Sequence, residues 1–496
     1  MVVEDQIQLM SQRIGGQRFE ALLSRLDDCG SAGDAGRLLR SSEFFRGLVE
    51  RQIDWLETRA QFKASTIDYI TVAHKHAGAT LLPTEATLAS SLRVLRQRAM
   101  LHILWRSFTQ RATGLDETLV AMSDLADFVI RETVQFAEAQ VGARFGEPIG
   151  EESQTRQHLI VVGMGKLGGR ELNLSSDIDI IFVYDEPGVT EGGRASTSNQ
   201  EFFTRVAQLV IKLIDSVTHE GRVFRVDTRL RPFGDSGALV ASYPSLESYY
   251  QQHGRDWERY ALLKSRCITG LIEQTRAFQQ LARRFVYRRY TDFSVIDGLR
   301  DMKALIDTER VSKDLANDVK RGPGGIREAE FVVQSHQLTH GGRISAIQTI
   351  NFQASAAVLA KEQCAPQSVV STLISAYRHL REVEHAIQAL RDEQTHSIPD
   401  VSDAQENLRH LLGYASWREL RNQTEAHRNA IATEFDALLN EPGQTTRLIF
   451  GIDSESPSLD MSVICGLSLD REDHIVAVVS DFIAETRFRV LDPEGV

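Results

Sequence analysis

The feature that most constrains the fold of this chain is a glycine-rich turn between two β-rich runs, followed at once by two aspartates. It is GMGKLGGRELNLSSDIDIIF, residues 163–182. The apolar run 159–162 precedes it, and the run 178–184 overlaps its end. The spacing G-x-G-x-x-G is typical of dinucleotide-binding proteins, whereas the pair Asp177 and Asp179 indicates a metal site. The two interpretations predict different folds.

The spacing after the glycines argues against a dinucleotide site. A Rossmann unit needs a full crossover helix, and its acidic ribose ligand lies about 20 residues on, at the end of the next strand. Here residues 167–176 separate the glycines from the next strand, and Asn173, Ser175 and Ser176 are poor helix-interior residues. A P-loop fits less well still, because Lys166 is followed by leucine rather than by Ser or Thr.

The metal-site interpretation fits the spacing of the two aspartates. Side chains i and i+2 of a strand share a face, so Asp177 and Asp179 point the same way. The residues that face the core are then Ile178, Ile180 and Phe182. Two carboxylates this close repel each other, and a cation allows both to stay ionised. Oxygen ligands suit Mg²⁺, with Mn²⁺ as the other option. The alternative is a solvated strand start with two unrelated acids.

A third acid lies on the predicted strand 223–230. Alternation places Asp227 on one face together with Arg225, Arg229 and Arg231. Arginine binds phosphate through two parallel hydrogen bonds, so this face suits a phosphate group. The alternative is a salt-bridged outer face. Two metal ions about 4 Å apart, held by such carboxylates, can assist an in-line displacement. The pattern therefore predicts nucleotidyl transfer.

The glycines of the turn are candidate phosphate contacts. A residue without Cβ lets backbone N–H groups approach a phosphate closely. The candidates are Gly163, Gly165, Gly168 and Gly169.

Composition narrows the partners. The formal net charge of −12 argues against a general nucleic-acid binder. The 4 cysteines form no C-x-x-C, which favours free thiols in a cytosolic protein. No apolar run approaches the ~18 residues of a membrane span, and the N-terminus lacks the apolar stretch of a secretion signal. We therefore expect a cytoplasmic location, with no nucleic-acid or membrane partner.

Three ordered motifs resemble those of the glutamine synthetase adenylyltransferase/adenylyl-removing family, within the polymerase-β-type nucleotidyltransferase superfamily. They are the stretch 163–182, VDTRLRPFGDSGALV at 226–240 and KRGPGGIREAEFVVQ at 320–334. The resemblance covers about residues 40–440. Family members are about twice this length and have two nucleotidyltransferase halves. One D-x-D motif of this kind, preceded by Asn173 and with Met164 where the other half has Tyr, resembles the N-terminal, adenylyl-removing half.

The resemblance implies phosphorolysis. Inorganic phosphate attacks the adenylyl group on a tyrosine of adenylylated glutamine synthetase, and ADP and free tyrosine leave. Asp177, Asp179 and Asp227 would be the catalytic metal ligands. A PII signalling protein is the implied regulatory partner. The alternatives are ATP-dependent adenylylation of glutamine synthetase and an inactive nucleotidyltransferase-fold regulatory module, although a module without activity has no need for three acids.

The resemblance also implies contacts to phosphate groups. Arg229 and Arg231 would bind the incoming phosphate or the β-phosphate of ADP. Lys166 and Ser176 would contact phosphate oxygens. For Lys166, an ordinary surface lysine is the alternative.

The predicted fold class is α+β, mainly helical, with a small mixed nucleotidyltransferase sheet between two helical domains. Helical periodicity predicts an N-terminal helical domain over 1–148. Short β-rich runs predict a nucleotidyltransferase domain over 149–300, and helices return over 301–440. Residues 441–496 are interpreted as a linker and the start of a missing second half.

Three further patterns allow more than one interpretation. His336 and His340 lie one helical turn apart, as in a zinc site, but the Glu of H-E-x-x-H is absent, so two ordinary helix histidines are favoured. The loop 321–327 suits either an anion at a helix N-terminus or a helix–helix turn with a charged cap. Trp257 is expected to pack inward from an amphipathic helix.

Overall fold

The two aspartates begin the third strand of a small mixed sheet. The computed structural model describes residues 3–59, 84–109, 111–287, 293–310 and 315–438. The strands in these residues are β1 Gly146–Gly150, β2 Ile160–Gly163, β3 Asp177–Tyr184, β4 Gly188–Gly192, β5 Arg225–Asp227, β6 Val240–Ser242 and β7 Arg266–Cys267. In the mixed sheet, β2 pairs antiparallel with β3 and β7, whereas β5 and β6 pair parallel with β3. β1 and β4 form a separate antiparallel ribbon.

Helices precede, interrupt and follow the strands, which confirms the predicted α+β class. The helices before the sheet are α1 Val3–Ile14, α2 Gly16–Asp27, α3 Asp34–Ser41, α4 Glu43–Arg51, α5 Ile53–Arg59, α6 Glu85–Thr109 and α7 Arg111–Phe145. Those among the strands are α8 Gly165–Gly168, α9 Asn199–Asp215, α10 Tyr243–Gln252 and α11 Asp256–Leu262. Those after it are α12 Ile272–Val286, α13 Phe293–Arg310, α14 Ile326–His340, α15 Phe352–Lys361, α16 Gln367–Arg391, α17 Ser402–Leu412 and α18 Trp417–Ala437.

The core lies where α9 packs between the sheet and α7. Ser198 caps α9, because its hydroxyl accepts a hydrogen bond from the backbone N–H of Glu201. The apolar side of α9 then buries aromatic and aliphatic side chains, including Phe202 and Phe203. The predicted strand that carries the aspartates is confirmed as β3.

The third predicted strand is shorter than expected. β5 ends at Asp227, so Arg229 and Arg231 lie in the following turn and not on the strand. The cause is local, since the carboxylate of Asp227 accepts a hydrogen bond from the backbone N–H of Arg229 at 2.8 Å. A second turn bond joins the N–H of Arg231 to the carbonyl of Thr228 at 3.2 Å. The predicted alternation was wrong beyond residue 227.

The other outcomes concern the packing and the domain limits. Trp257 is 42% exposed, so the expected inward packing of its side chain was wrong. The described residues up to Asp436 belong to one compact unit, and the domain limits stay predictions. The predicted linker 441–496 lies outside the described residues. None of the helices described is both long and apolar enough to cross a bilayer.

Candidate active site

Three aspartates lie on two neighbouring strands of the sheet. In the parallel pairing of β3 with β5, Asp179 is opposite Asp227, and Asp177 is opposite Arg225. Neighbouring strands are about 4.8 Å apart, and paired residues of a parallel sheet share a face. Burial, together with the negative charges of Asp177 and Asp227, raises the pKa of Asp179 to about 7. The sheet thus places the three acids within electrostatic reach of one another.

The carboxylates of Asp177 and Asp227 each accept hydrogen bonds from another side chain. Asp227 accepts hydrogen bonds from the guanidinium of Arg229, at 2.5 Å from Nη2 and 3.0 Å from Nε. The Oδ1 of Asp177 accepts a bond from Nε2 of Gln394 at 2.5 Å. In keeping with this, no group of three His, Cys, Asp or Glu side chains in the described ranges is placed to hold a metal ion.

The residues nevertheless fit a hard divalent cation by their chemistry. The donors are carboxylate oxygens, which Mg²⁺ and Mn²⁺ prefer. The pKa of Asp179 is raised because burial, and then the negative charges of Asp177 and Asp227, disfavour its ionised form. A bound cation would stabilise the ionised form. Binding would require Asp177 and Asp227 to leave Gln394 and Arg229, and both of those partners are exposed contacts. The role of the three acids as metal ligands stays a prediction.

The glycine turn is packed against Asp179. The N–H of Met164 donates to the carbonyl of Asp179 at 2.8 Å. Gly165 has a φ of +51°, and a Cβ there would lie 2.9 Å from Oδ2 of Asp179. Position 165 therefore needs glycine for two reasons: its φ is positive, and a Cβ would crowd the carboxylate of Asp179.

Two other glycines of the turn have close protein neighbours. A Cβ at Gly163 would lie 2.9 Å from Cδ1 of Ile268, and one at Gly168 would lie 1.6 Å from the carbonyl oxygen of Lys264. These contacts by themselves account for the two glycines. Their predicted binding to phosphate stays a prediction.

Gly168→Ala should destabilise the protein by about 1–3 kcal/mol, because the backbone of Lys264 must move to admit the methyl group. The free energy of unfolding from denaturant titration measures this. Gly142→Ala is the control, since Gly142 is helical and a Cβ there meets nothing within 4 Å. It should be neutral or stabilising by up to about 1 kcal/mol. Equal effects of the two changes would contradict the packing argument.

Lys166 is not a surface lysine, because its side chain is 11% exposed. Its Nζ donates to both carboxylate oxygens of Glu384 at 3.2 Å, and to Oδ1 of Asn173 at 3.3 Å. The same carboxylate lies 3.1 Å from Nε of Arg381 and 2.9 Å from Nδ1 of His396. The surface-lysine alternative is thus wrong, and contact of Lys166 with phosphate stays a prediction.

Further charged groups extend this cluster. Nζ of Lys264 donates at 2.7 Å to Glu171 and at 2.7 Å to Glu330. Arg381 donates to the carbonyl of Glu171 at 2.7 Å and to Oδ1 of Asn173 at 2.6 Å. We call the six charged residues the buried charge network: Lys166, Glu171, Lys264, Glu330, Arg381 and Glu384. It joins the segment after the glycine turn to α14 and α16.

The charges in this network depend on one another. Burial alone would raise the pKa of Glu384, but Lys166, His396 and Arg381 hold it well below its usual value. Burial alone would lower the pKa of Lys264, but Glu171 and Glu330 raise it. Removing one member leaves its partner charged and buried, which is costly.

Glu384→Gln should lower the free energy of unfolding by about 3–5 kcal/mol at neutral pH, because Lys166 and Arg381 lose their counter-charge. The pKa of Glu384 is depressed in the folded state, so its contribution is present above the unfolded pKa of about 4.3. It is lost as the pH falls through the folded pKa. Denaturant titrations of both proteins at several pH values should therefore converge only in acid. A constant difference down to acid pH would contradict the ionic explanation.

The loop after residue 319 begins α14 and satisfies its own polar groups. Glu328 accepts a hydrogen bond from the N–H of Gly324 at 3.0 Å, and Arg428 donates to the carbonyl of Pro323 at 2.9 Å. This is the charged-cap arrangement, one of the two predicted alternatives. From the same loop the positive charge of Lys320 lowers the pKa of Asp179, although the net shift is upward. The third sequence motif thus acts electrostatically on the carboxylates.

The other candidate residues have mixed surroundings. Arg229 is 71% exposed and bound to Asp227. Arg231 is 10% exposed, and its Nη1 donates to the carbonyl and the hydroxyl of Thr228 at 2.9 Å. Ser176 is half-buried and lines a cavity. The phosphate-binding roles of these residues stay predictions.

The two helix histidines are stacked with ring centroids 5.9 Å apart. Burial, with the charge of His340 as a smaller contribution, lowers the pKa of His336 to about 4. His336 is therefore neutral at physiological pH.

Sequence reasoning missed two groups that act on the aspartates from elsewhere in the chain. Lys320 acts electrostatically on Asp179, and Gln394 donates a hydrogen bond to Asp177. They lie 141 and 217 positions from these aspartates, with no spacing rule to connect them (320 − 179 = 141, 394 − 177 = 217). It also missed Glu384, which binds Lys166.

A small mixed sheet that carries a glycine turn, a D-x-D strand and a third strand aspartate defines the nucleotidyltransferase class. Comparison with known proteins gives the family. The family model "Glutamate-ammonia ligase adenylyltransferase" matches residues 33–281, and the model "GlnD PII-uridylyltransferase" matches residues 300–439. The chain belongs to the glutamate-ammonia ligase adenylyltransferase family, as its motifs predicted.

Curated relatives support the same family. Each of three is a bifunctional glutamine synthetase adenylyltransferase/adenylyl-removing enzyme. That of Pseudomonas putida is 47% identical over 359 residues, which is 72% of this chain and 37% of the relative. That of Pseudomonas aeruginosa is 45% identical over 362 residues, 73% and 37% respectively. That of Thioalkalivibrio sulfidiphilus is 41% identical over 405 residues, 82% and 41%. The chain spans about two fifths of the length of these relatives.

Proposed function

We propose that this chain removes AMP from adenylylated glutamine synthetase by phosphorolysis. The observation that carries the proposal is the pairing of Asp179 with Asp227 across β3 and β5, with Asp177 on the same strand face. The names of the relatives include both the adenylylating and the adenylyl-removing activity. The pattern Asn173-x-Ser175-Ser176 before the acids, together with Met164, favours the second of these.

The reaction is a substitution at phosphorus. An oxygen of inorganic phosphate attacks the phosphorus of the AMP group and forms a new P–O bond. The bond from that phosphorus to the tyrosine oxygen breaks, the phenolate takes up a proton, and ADP is released. A phenol has a pKa of about 10, so its anion leaves readily and neutralisation of negative charge matters more than general-acid help.

The residues of the chain would divide this work. Asp177, Asp179 and Asp227 would hold Mg²⁺ or Mn²⁺, which when bound neutralises charge on the phosphate oxygens. Asp179 is half-buried beside the glycine turn, whereas Asp177 and Asp227 can leave their exposed partners. Gly165 keeps the backbone of the turn close to Asp179 without a side chain between them. Lys320 contributes positive charge from the loop before α14.

Two alternatives use the same site. In ATP-dependent adenylylation a tyrosine hydroxyl attacks ATP. The word adenylyltransferase in the names of the relatives supports this alternative. An inactive regulatory module would bind partners only. A PII signalling protein is the proposed regulatory partner, which the match of residues 300–439 to a PII-uridylyltransferase model supports. A cytoplasmic location is proposed with it.

An assay of the purified chain separates these functions. With adenylylated glutamine synthetase, inorganic phosphate and Mg²⁺, we expect ADP and unmodified glutamine synthetase. Omission of phosphate or addition of EDTA should stop the release of ADP. Transfer of AMP from ATP to unmodified glutamine synthetase, without release of ADP in the first assay, would favour the adenylylation alternative. Absence of both reactions would favour the regulatory module.

Asp177→Asn should reduce turnover by at least about a hundredfold, because it removes a predicted metal ligand. It should change the free energy of unfolding by less than about 0.5 kcal/mol, since the side chain is only half-buried. Steady-state ADP release and denaturant titration measure the two effects. Asp235→Asn is the control, since Asp235 is 77% exposed in the nearby turn, and should change neither. A large loss of stability in Asp177→Asn would mark the residue as structural.

A further inference from the structure

A cavity of about 270 Å³ is lined by Ser176 and Arg225, the chain neighbour and the strand partner of Asp177. Its walls come from α4, from α6, from the residues before β3 and β5, and from the end of α16. Five arginines line it: Arg51, Arg96, Arg222, Arg225 and Arg391. We call it the arginine cavity. Two carboxylates, of Glu220 and Asp392, also line it, so positive charge is in excess.

Three of the five arginines already have acidic partners. Arg96 binds Asp392 at 2.9 Å, Arg391 lies 3.3 Å from Glu43, and Arg222 lies 3.5 Å from Asp215.

The other two, Arg51 and Arg225, have no carboxylate partner among the residues that the structure describes. Arg51 donates to the carbonyl of Gly47 at 3.1 Å, and Arg225 donates to the hydroxyl of Ser175 at 3.2 Å. The Nε atoms of Arg96 and Arg225 are buried without a hydrogen-bond partner. A buried guanidinium donor without an acceptor is costly, and an anion in the cavity would satisfy it.

The arginine cavity is next to the acids but does not include them. Arg225 is paired in register with Asp177, and it lies two residues before Asp227 on the same strand. Ser176, the residue before Asp177, is part of the cavity wall. A group bound there is therefore close to Asp177, one of the acids that would hold the metal ions.

The size and lining of the cavity favour a small oxyanion. Its volume lies just below the roughly 300–1,000 Å³ of sites for drug-sized ligands, and it has ample room for a small oxyanion. Guanidinium groups and the hydroxyl of Ser176 line the cavity, and they donate the kind of hydrogen bond that tetrahedral oxyanions accept.

We propose that the arginine cavity binds inorganic phosphate, and that Arg225 is its main ligand. The proposal rests on the proposed function, in which phosphate is the acceptor. It differs from the sequence-based expectation, which gave this role to Arg229 and Arg231. Arg225 holds phosphate oxygens other than the attacking one, and so orients the acceptor toward the AMP phosphorus while the tyrosine oxygen departs from the other side.

Direct binding of inorganic phosphate to the whole chain tests the site. Equilibrium dialysis with radiolabelled phosphate should give a dissociation constant that Arg225→Gln raises by about ten- to a hundredfold, as expected for loss of charge-assisted hydrogen bonds. Arg225→Lys should recover part of the affinity, because it keeps the charge. Arg156→Gln is the matched control, since Arg156 is exposed and pairs with Glu147 away from the cavity, and it should bind as the wild type does. Unchanged binding in Arg225→Gln would overturn the proposal.

Steady-state kinetics separate the two proposals. With the deadenylylation assay, Arg225→Gln should raise KM for phosphate about tenfold or more and leave KM for adenylylated glutamine synthetase unchanged. A variant that loses phosphate binding but keeps the wild-type KM for phosphate would overturn the assignment of the cavity to the acceptor. If the wild type binds phosphate through Arg225 and releases no ADP, the proposed function fails and the phosphate site stands. Circular dichroism of each variant excludes unfolding as the cause.

Discussion

The buried charge network is the interaction on which the rest of the site depends. Lys166 extends from the glycine turn to Glu384 on α16, and Lys264 holds Glu171 and Glu330 together. Charged groups at this depth are stable only while each has its partner, so the turn and the helices are fixed relative to each other. Residues after the sheet thereby become part of the candidate active site, through Lys320 in the loop before α14 and Gln394 just after α16.

The register between β3 and β5 has the second structural role. A shift by one residue would turn Asp177 and Asp179 to the opposite face and bury them in the core. The apolar residues between and after them, Ile178 and Ile180, prevent this because both are fully buried. The same register sets Arg225 beside Asp177. The positive guanidinium, which attracts anions, therefore lies next to a negative carboxylate, which attracts cations. Under the proposed function, this alternation would let the cation and the acceptor bind at separate places.

Much of this arrangement could be predicted from local patterns. The D-x-D strand, the amphipathic helix α9 and the α+β class follow from periods of two and of 3.6 residues, which depend only on nearby sequence. The prediction was wrong where a side chain overrode the period, as when the carboxylate of Asp227 ended β5 by binding the next turn. The expected inward packing of Trp257 and the surface-lysine alternative for Lys166 were also wrong, because burial depends on what packs against a residue.

The sequence by itself determined the family, the two acids of the strand and the turn that carries them, because these reside in contiguous motifs with fixed spacing. Only the tertiary structure decided that Lys166 binds Glu384, that Lys320 acts on Asp179, and that arginines from four parts of the chain surround one cavity. The physical reason is that ion pairs and cavities form between segments more than a hundred residues apart. Their energies depend on burial and distance, which no local spacing encodes.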